Sequence, residues 1–227
     1  SRDLVVDIGC NDGTLLSGFK RHNTRILGID PAENLDELTK NEGIPRFVGY
    51  FNLQSAQSIV DQWGQASVIV STNSFPHIQN LSEFTKALKF LLAPGGTFVI
   101  EMHYLVDLLD QVAFDTIYHE HVSYWRLGPM AHLFASHDLQ VVHVERVPLH
   151  HGQLRVFVQR QEEGRPEKSV EDILAFEKEI GMDRFETFCT FTEKIQTIKT
   201  ELHSLIRSLL NQKKRLVAYG APAKGNT

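Results

Sequence analysis

Through the first half of the chain, short runs of apolar and β-branched residues alternate with longer stretches whose apolar positions recur every three to four residues. The short runs predict strands over residues 3–8, 25–30, 46–49, 67–71 and 97–101. The longer stretches predict helices over 14–22, 34–41, 54–63 and 82–92. Strand–helix alternation of this kind implies right-handed crossovers and a mostly parallel sheet covered on both faces. After a helix near 131–137, two strands follow without a helix between them, at 139–146 and 153–160, so they are expected to pair antiparallel. The predicted fold is therefore α/β and Rossmann-like, mostly parallel with an antiparallel late strand.

Residues 161–166 are polar, and beyond them the period changes. Phe185, Phe188, Phe191, Ile195, Ile198, Leu202, Leu205 and Leu209 form one stripe, that of a long amphipathic helix facing a core or a second subunit. A further apolar run at 215–219 reads as a strand. These shifts divide the chain into a first domain over 1–163, a helical linker over 164–212, and the start of a second α/β lobe over 213–227. Because the chain opens on a strand and stops in a loop, both ends are expected to be cut from a longer protein.

Composition narrows the function. With 42% hydrophobic and 22% charged residues, the 227-residue chain buries a real core. A net charge of -5 gives no general reason to bind nucleic acid or an anionic membrane, and no run is apolar enough to span a bilayer. Cys10 and Cys189 are too far apart in sequence to suggest a disulfide framework or zinc cluster, which fits a reducing cytoplasm. Nothing in the sequence specifies an oligomeric state.

The turn between the first strand and first helix reads Asp7-Ile8-Gly9-Cys10-Asn11-Asp12-Gly13. Glycines there let the backbone turn tightly and approach a ligand. Asp30, at the tip of the second strand, is placed to bind ribose hydroxyls in the crevice beyond the strand ends. A dinucleotide fingerprint needs glycine at the positions of Gly9, Asn11 and Thr14, and two of these fail, which disfavours a nicotinamide-dependent dehydrogenase. The acid-x-Gly-x-Gly-x-Gly turn of S-adenosylmethionine enzymes fits better, with Asn11 replacing one glycine. This predicts a class I methyltransferase domain. Asn73, after the fourth strand, lies where backbone carbonyls can hold the cofactor's ammonium group. Phe51, after the third strand, can stack on adenine or serve the core.

Tyr118-His119-Glu120-His121 places a phenol, an acid and two imidazoles together. In an extended run His119 and His121 share one face and Tyr118 and Glu120 the other, so a turn is needed to converge them. Spacing alone does not choose between the two histidines. Joined by His77 or His103, the run can also be read as a metal site, but it lacks the i, i+4 helical spacing that makes such readings strong. No metal is expected. The remaining alternative is a cofactor-binding fragment without turnover.

The segments at 7–16, 114–121 and 219–227 resemble the sugar C-methyltransferases, which methylate carbon on keto-deoxysugars attached to a nucleoside diphosphate. The resemblance implies that His121 is the base, with Tyr118 and Glu120 beside the reacting sugar, and that a further histidine falls on His77. Such chemistry needs a base near the acidic carbon, a donor near the oxyanion and a dry pocket. Where family members tend to show His-Gly-Gly-Ser-Leu-Arg, this chain has His150-His151-Gly152-Gln153-Leu154-Arg155, so His151 and Gln153 are expected to tune substrate choice and Arg155 to contact substrate. Lys224 and Asn226, with Thr227, read either as a diphosphate loop, by charge and backbone amides, or as a capping loop on the unfinished lobe. The resemblance also implies a zinc module before this chain and a complete second lobe after it.

Overall fold

The apolar runs of the first half become a stack of parallel strands in a computed structural model, which describes residues 3–149 and 151–220. β1 (Leu4–Ile8) is buried along its whole length and pairs in parallel with β2 (Arg25–Asp30) and β4 (Ala66–Thr72). β3 (Arg46–Val48) extends one edge and β5 (Leu92–His103) continues the other. β7 (Gln153–Arg160) runs antiparallel between β5 and β6 (Leu139–Val147). The seven-stranded order is β3-β2-β1-β4-β5-β7-β6. The chain reverses direction in the order after β1, and the crevice beyond the strand ends at such a switch point is where ligands lie.

Alternation along the strands sorts the two faces. Leu4, Val6, Ile8, Leu27, Ile29, Ile69, Phe98, Ile100 and Met102 pack into the main core, where α3 (Leu53–Trp63) and α4 (Leu81–Leu91) contribute Ala56, Ile59, Phe84 and Leu88. On the other face, Val5 and Ile26 meet Leu16 of α1 (Thr14–Lys20) together with Cys10 and Ile44 in a smaller cluster. Short α2 (Asp36–Asn41) precedes β3. Side chains such as Phe98 and Leu88, fully buried, each contribute about 1.5–3 kcal/mol from removal of apolar surface from water.

Four elements differ from the sequence reading. The strand expected at 97–101 begins earlier, at Leu92, and carries a bulge: Ala66 pairs with Leu92 and Val68 with Thr97, so the intervening Pro-Gly-Gly stretch is looped out of the ladder. Helix α5 (Leu105–Asp110) follows β5 and is too short for its apolar period to register. The predicted helical linker holds a second helix beyond the one expected, α7 (Lys168–Glu179), after α6 (Leu127–Ala135), and α7 packs against β6 and α6. The run at 215–219 forms no strand: Val217 is 84% exposed, and no described strand lies beside it to complete a ladder. The long helix is present as α8 (Phe185–Asn211), seated through Phe188, Phe191 and Ile195, while Leu202, Leu205 and Leu210 are exposed.

Candidate active site

The β1–α1 turn is built from backbone. Gly9, Asn11 and Gly13 all take positive φ, at 81°, 50° and 81°. Asparagine is among the few residues that enter the left-handed region readily, so Asn11 preserves the loop that a glycine there would form. Gly9 is required twice over, since a Cβ would come within 2.0 Å of Ser74 Oγ, in the loop after β4. Asp30 locks the turn from the next strand: Oδ2 accepts from the Asn11 N–H at 3.0 Å, and Oδ1 accepts from the Ala32 N–H at 2.9 Å and from the buried Arg46 guanidinium at 3.2 Å. A carboxylate has about four acceptor positions, so Asp30 keeps capacity for one more donor. Asp7 is buried beside this turn, and burial, reinforced by the negative charge of Asp30, pushes its carboxyl up to about 7.

Across the sheet, at the ends of β4 and β5, the second group gathers. Asn73 takes a left-handed φ of 56°, and its Oδ1 accepts from Gln153 Nε2 at 2.9 Å. Just beyond, the 3-10 turn Phe75–His77 carries His77 outward. The loop between residues 117 and 125 docks on this turn. Val122 and Ser123 N–H groups both donate to the Pro76 carbonyl, and His77 Nδ1 donates to the Glu120 carbonyl at 2.8 Å.

The turn needed within the Tyr118–His121 run is present, closed by the His121 N–H donating to the Tyr118 carbonyl at 3.1 Å. It brings the His121 ring centroid 4.6 Å from Tyr118, 5.0 Å from His77, 5.7 Å from His103 and 6.1 Å from Tyr124. His121 Nδ1 lies 2.9 Å from the Thr116 carbonyl. A carbonyl only accepts, so Nδ1 must carry the proton, and Nε2 becomes the basic nitrogen of the neutral ring. The same logic, through the Glu120 carbonyl, makes Nε2 the basic nitrogen of His77. Burial and Glu120, to which it is hydrogen-bonded, raise the Tyr118 phenol above its ordinary value and keep it a donor at neutral pH.

His119 stands apart, exposed and 3.9 Å from Glu120. Phe51 meets Phe84 edge-on at 5.2 Å and lies with the core aromatics. Arg155 is held between Glu101 and Glu145 on the sheet. Lys224 and Asn226 lie outside the described residues. Among the described residues, no group of three His, Cys, Asp or Glu side chains is arranged to hold a metal ion. Sequence reasoning missed Thr116, which orients His121 with a main-chain carbonyl and so leaves no side-chain signal.

The fold and the glycine turn together define a class I methyltransferase. A family profile described as methyltransferase domain matches residues 1–144, and another described as C-methyltransferase C-terminal domain matches residues 148–227. C-methyltransferase NovU of Streptomyces niveus is 35% identical over 227 residues, covering 99% of this chain and 54% of that protein. The chain thus spans about half the length of that relative. A ubiquinone biosynthesis O-methyltransferase of Methylobacterium sp. (strain 4-46) is 29% identical over 98 residues, 41% of this chain and 38% of its own length. Among solved structures, a methyltransferase bound to the Trm112 activator of Haloferax volcanii aligns with a TM-score of 0.56 at 15% identity, over 70% of this chain and 83% of that one. An S-adenosylmethionine-dependent methyltransferase of Anabaena variabilis also aligns at 0.56, with 14% identity, over 70% of this chain and 77% of that one. The chain belongs to the C-methyltransferase family, and its cofactor is S-adenosylmethionine. This sets aside the nicotinamide reading. The residues fit the cofactor: the left-handed turn at Gly9, Asn11 and Gly13 would bring backbone close to it, and Asp30 would have acceptor capacity left for a ribose hydroxyl.

Proposed function

We propose that the protein methylates a carbon next to the ketone of a keto-deoxysugar nucleotide, with His121 as the base. The tautomer imposed on His121 by the Thr116 carbonyl carries this reading, because it makes Nε2 the proton acceptor within a ring of Tyr118, His77 and His103. S-adenosylmethionine, when bound, supplies an electrophilic methyl group on a sulfonium. His121 Nε2 takes the proton from the carbon beside the ketone, and the electron pair of the broken C–H bond spreads onto the oxygen. The Tyr118 hydroxyl turns from Glu120 to that oxygen and stabilises its developing charge. The enolate carbon would take the methyl group from bound S-adenosylmethionine, the sulfonium leaving as a neutral thioether. His77, in edge contact with His121, is the second proton carrier, and burial together with Glu120 holds the phenol above its ordinary value.

Arg155, Lys224 and Asn226 are assigned to the substrate, the last two to its diphosphate. The chain is further assigned to the cytoplasm. The buried Cys10 and exposed Cys189 are both free thiols, and no described helix is long and apolar enough to cross a membrane. Residues 1–163 are taken as the cofactor domain, 164–212 as the connecting helices and 213–227 as the start of a second lobe.

The test is incubation of the full-length protein with methyl-labelled S-adenosylmethionine and a panel of keto-deoxysugar nucleotides. Label should appear on carbon adjacent to the ketone, replacing one hydrogen. Label on oxygen or nitrogen, or no transfer to any keto sugar by protein that binds the cofactor, overturns the reading.

A further inference from the structure

The sequence places a carboxylate where a hydrophobic residue belongs. On α7, Val170, Ile173 and Leu174 face the core, and the next position of that stripe is Glu177. Its side chain is 2% exposed. An isolated carboxylate buried to that degree is strongly unfavourable unless its oxygens are satisfied. Here both are. Oε1 accepts from the Tyr104 hydroxyl at 3.1 Å and the Leu127 N–H at 2.5 Å, and Oε2 accepts from the Gly128 N–H at 3.0 Å and Arg126 Nη1 at 3.2 Å.

The four donors share one location. Arg126 is the N-cap of α6, and Leu127 and Gly128 open its first turn, so Glu177 satisfies backbone donors that otherwise lack partners at the start of a helix. Trp125, immediately before them, ends the loop that carries Tyr118, Glu120 and His121. Tyr104 closes β5 opposite Trp125, and the Leu105 N–H donates to the Trp125 carbonyl at 2.9 Å. Arg126 also pairs with Asp183, beyond the C-terminal end of α7. The loop therefore has two moorings. Its middle rests on Pro76 and His77, and its exit is held by one carboxylate from a helix beyond the Rossmann-like sheet.

We propose that Glu177 is a positioning residue for the methyl-transfer reaction, fixing the exit of the 117–125 loop and so the placement of His121. This rests on the loop's role in the proposed function. Glu177→Gln keeps the shape but puts an NH₂ group against N–H donors at whichever oxygen it replaces, because each oxygen faces a backbone N–H. Glu177→Asp keeps the charge at shorter reach.

The experiment measures S-adenosylmethionine affinity, kcat, KM for the keto-sugar nucleotide and melting temperature for the full chain and for Glu177→Gln, Glu177→Asp, His121→Gln and the Glu177→Gln/His121→Gln double variant. All assays run at least ten degrees below each melting point. Cofactor affinity should stay within about twofold in both Glu177 variants, because the β1–α1 turn and Asp30 touch none of Glu177's partners. In Glu177→Gln, kcat should fall at least tenfold, and Glu177→Asp should recover part of the loss. Residues acting through one another are not additive, so the Glu177→Gln loss should shrink severalfold in the His121→Gln background. If Glu177→Gln is too unstable to assay, the same comparison is made with Glu177→Asp alone.

Wild-type kcat in folded Glu177→Gln, or in Glu177→Asp where only that variant can be assayed, overturns the proposal, as does a parallel fall of cofactor affinity and kcat. A fully active His121→Gln would instead refute the base assignment, while a kcat loss confined to Glu177→Gln would still support loop positioning.

Discussion

The two halves of the candidate site are constructed differently. The cofactor side consists of short-range backbone: a turn of residues 9–13 with three positive φ angles, tied by Asp30 on the adjacent strand. The histidine side is a loop without regular strand or helix between residues 117 and 124, held at Pro76, at the Thr116 carbonyl and through α6 by Glu177. A backbone-built site tolerates exchange of side chains that can adopt its dihedrals. A site built from distant moorings depends on packing far along the chain. Substitutions on the first side should therefore change cofactor affinity, and those on the second should change turnover with affinity intact.

The strongest challenge to the cofactor side is Gly9→Val. A β-branched residue at φ 81°, with its Cβ driven toward Ser74 Oγ, cannot keep the turn. Cofactor affinity should fall by roughly a hundredfold or more, about 2.7 kcal/mol. Calorimetry with S-adenosylmethionine checks this, and wild-type affinity would remove the turn from the site. Asp30→Asn should weaken the cofactor by about 1.5–3 kcal/mol, the range for hydrogen bonds to a charged group. Asparagine can still accept from Asn11, so this variant separates ribose recognition from support of the turn. An unchanged dissociation constant would assign Asp30 to the loop alone.

A smaller effect sharpens the contrast through pH. Burial and Asp30 raise Asp7 from 3.8 to about 7, so the folded state holds a proton there that the unfolded chain releases earlier. The stability linked to this proton is full below about pH 4 and is lost as pH rises through 7. Asp7→Asn should thus gain on wild type between pH 5 and pH 8, on the order of 1–2 kcal/mol after relaxation discounts the full shift. Melting curves across that range test it, and a pH-independent difference would contradict the buried proton.

How much was legible in the sequence follows the same division. The strands, the glycine turn and Asp30 were readable because period and turn chemistry are local. Asn11 departed from the glycine pattern, yet the left-handed dihedral it adopts is the property the pattern encodes. The need for a turn in the Tyr118–His121 run was readable from strand alternation. Which histidine it would enclose was not, because the Thr116 carbonyl belongs to the backbone and the moorings are remote in sequence. Glu177 did leave a trace, a charge on the apolar stripe of α7, but that helix was hidden inside a predicted linker. At 215–219 the local pattern misled, since a strand also requires a neighbour.

The central claim is that His121 removes the substrate proton, and isotope exchange addresses it most directly. Full-length wild type and His121→Gln are incubated in heavy water with a keto-deoxysugar nucleotide and a non-methylating cofactor analogue. Wild type should exchange the hydrogen next to the ketone. His121→Gln, which keeps bulk and a hydrogen-bonding end but has no basic nitrogen, should bind S-adenosylmethionine within about twofold and lose exchange and methylation together, by roughly a hundredfold to ten-thousandfold. Near-wild-type exchange or methylation by folded His121→Gln would contradict the account.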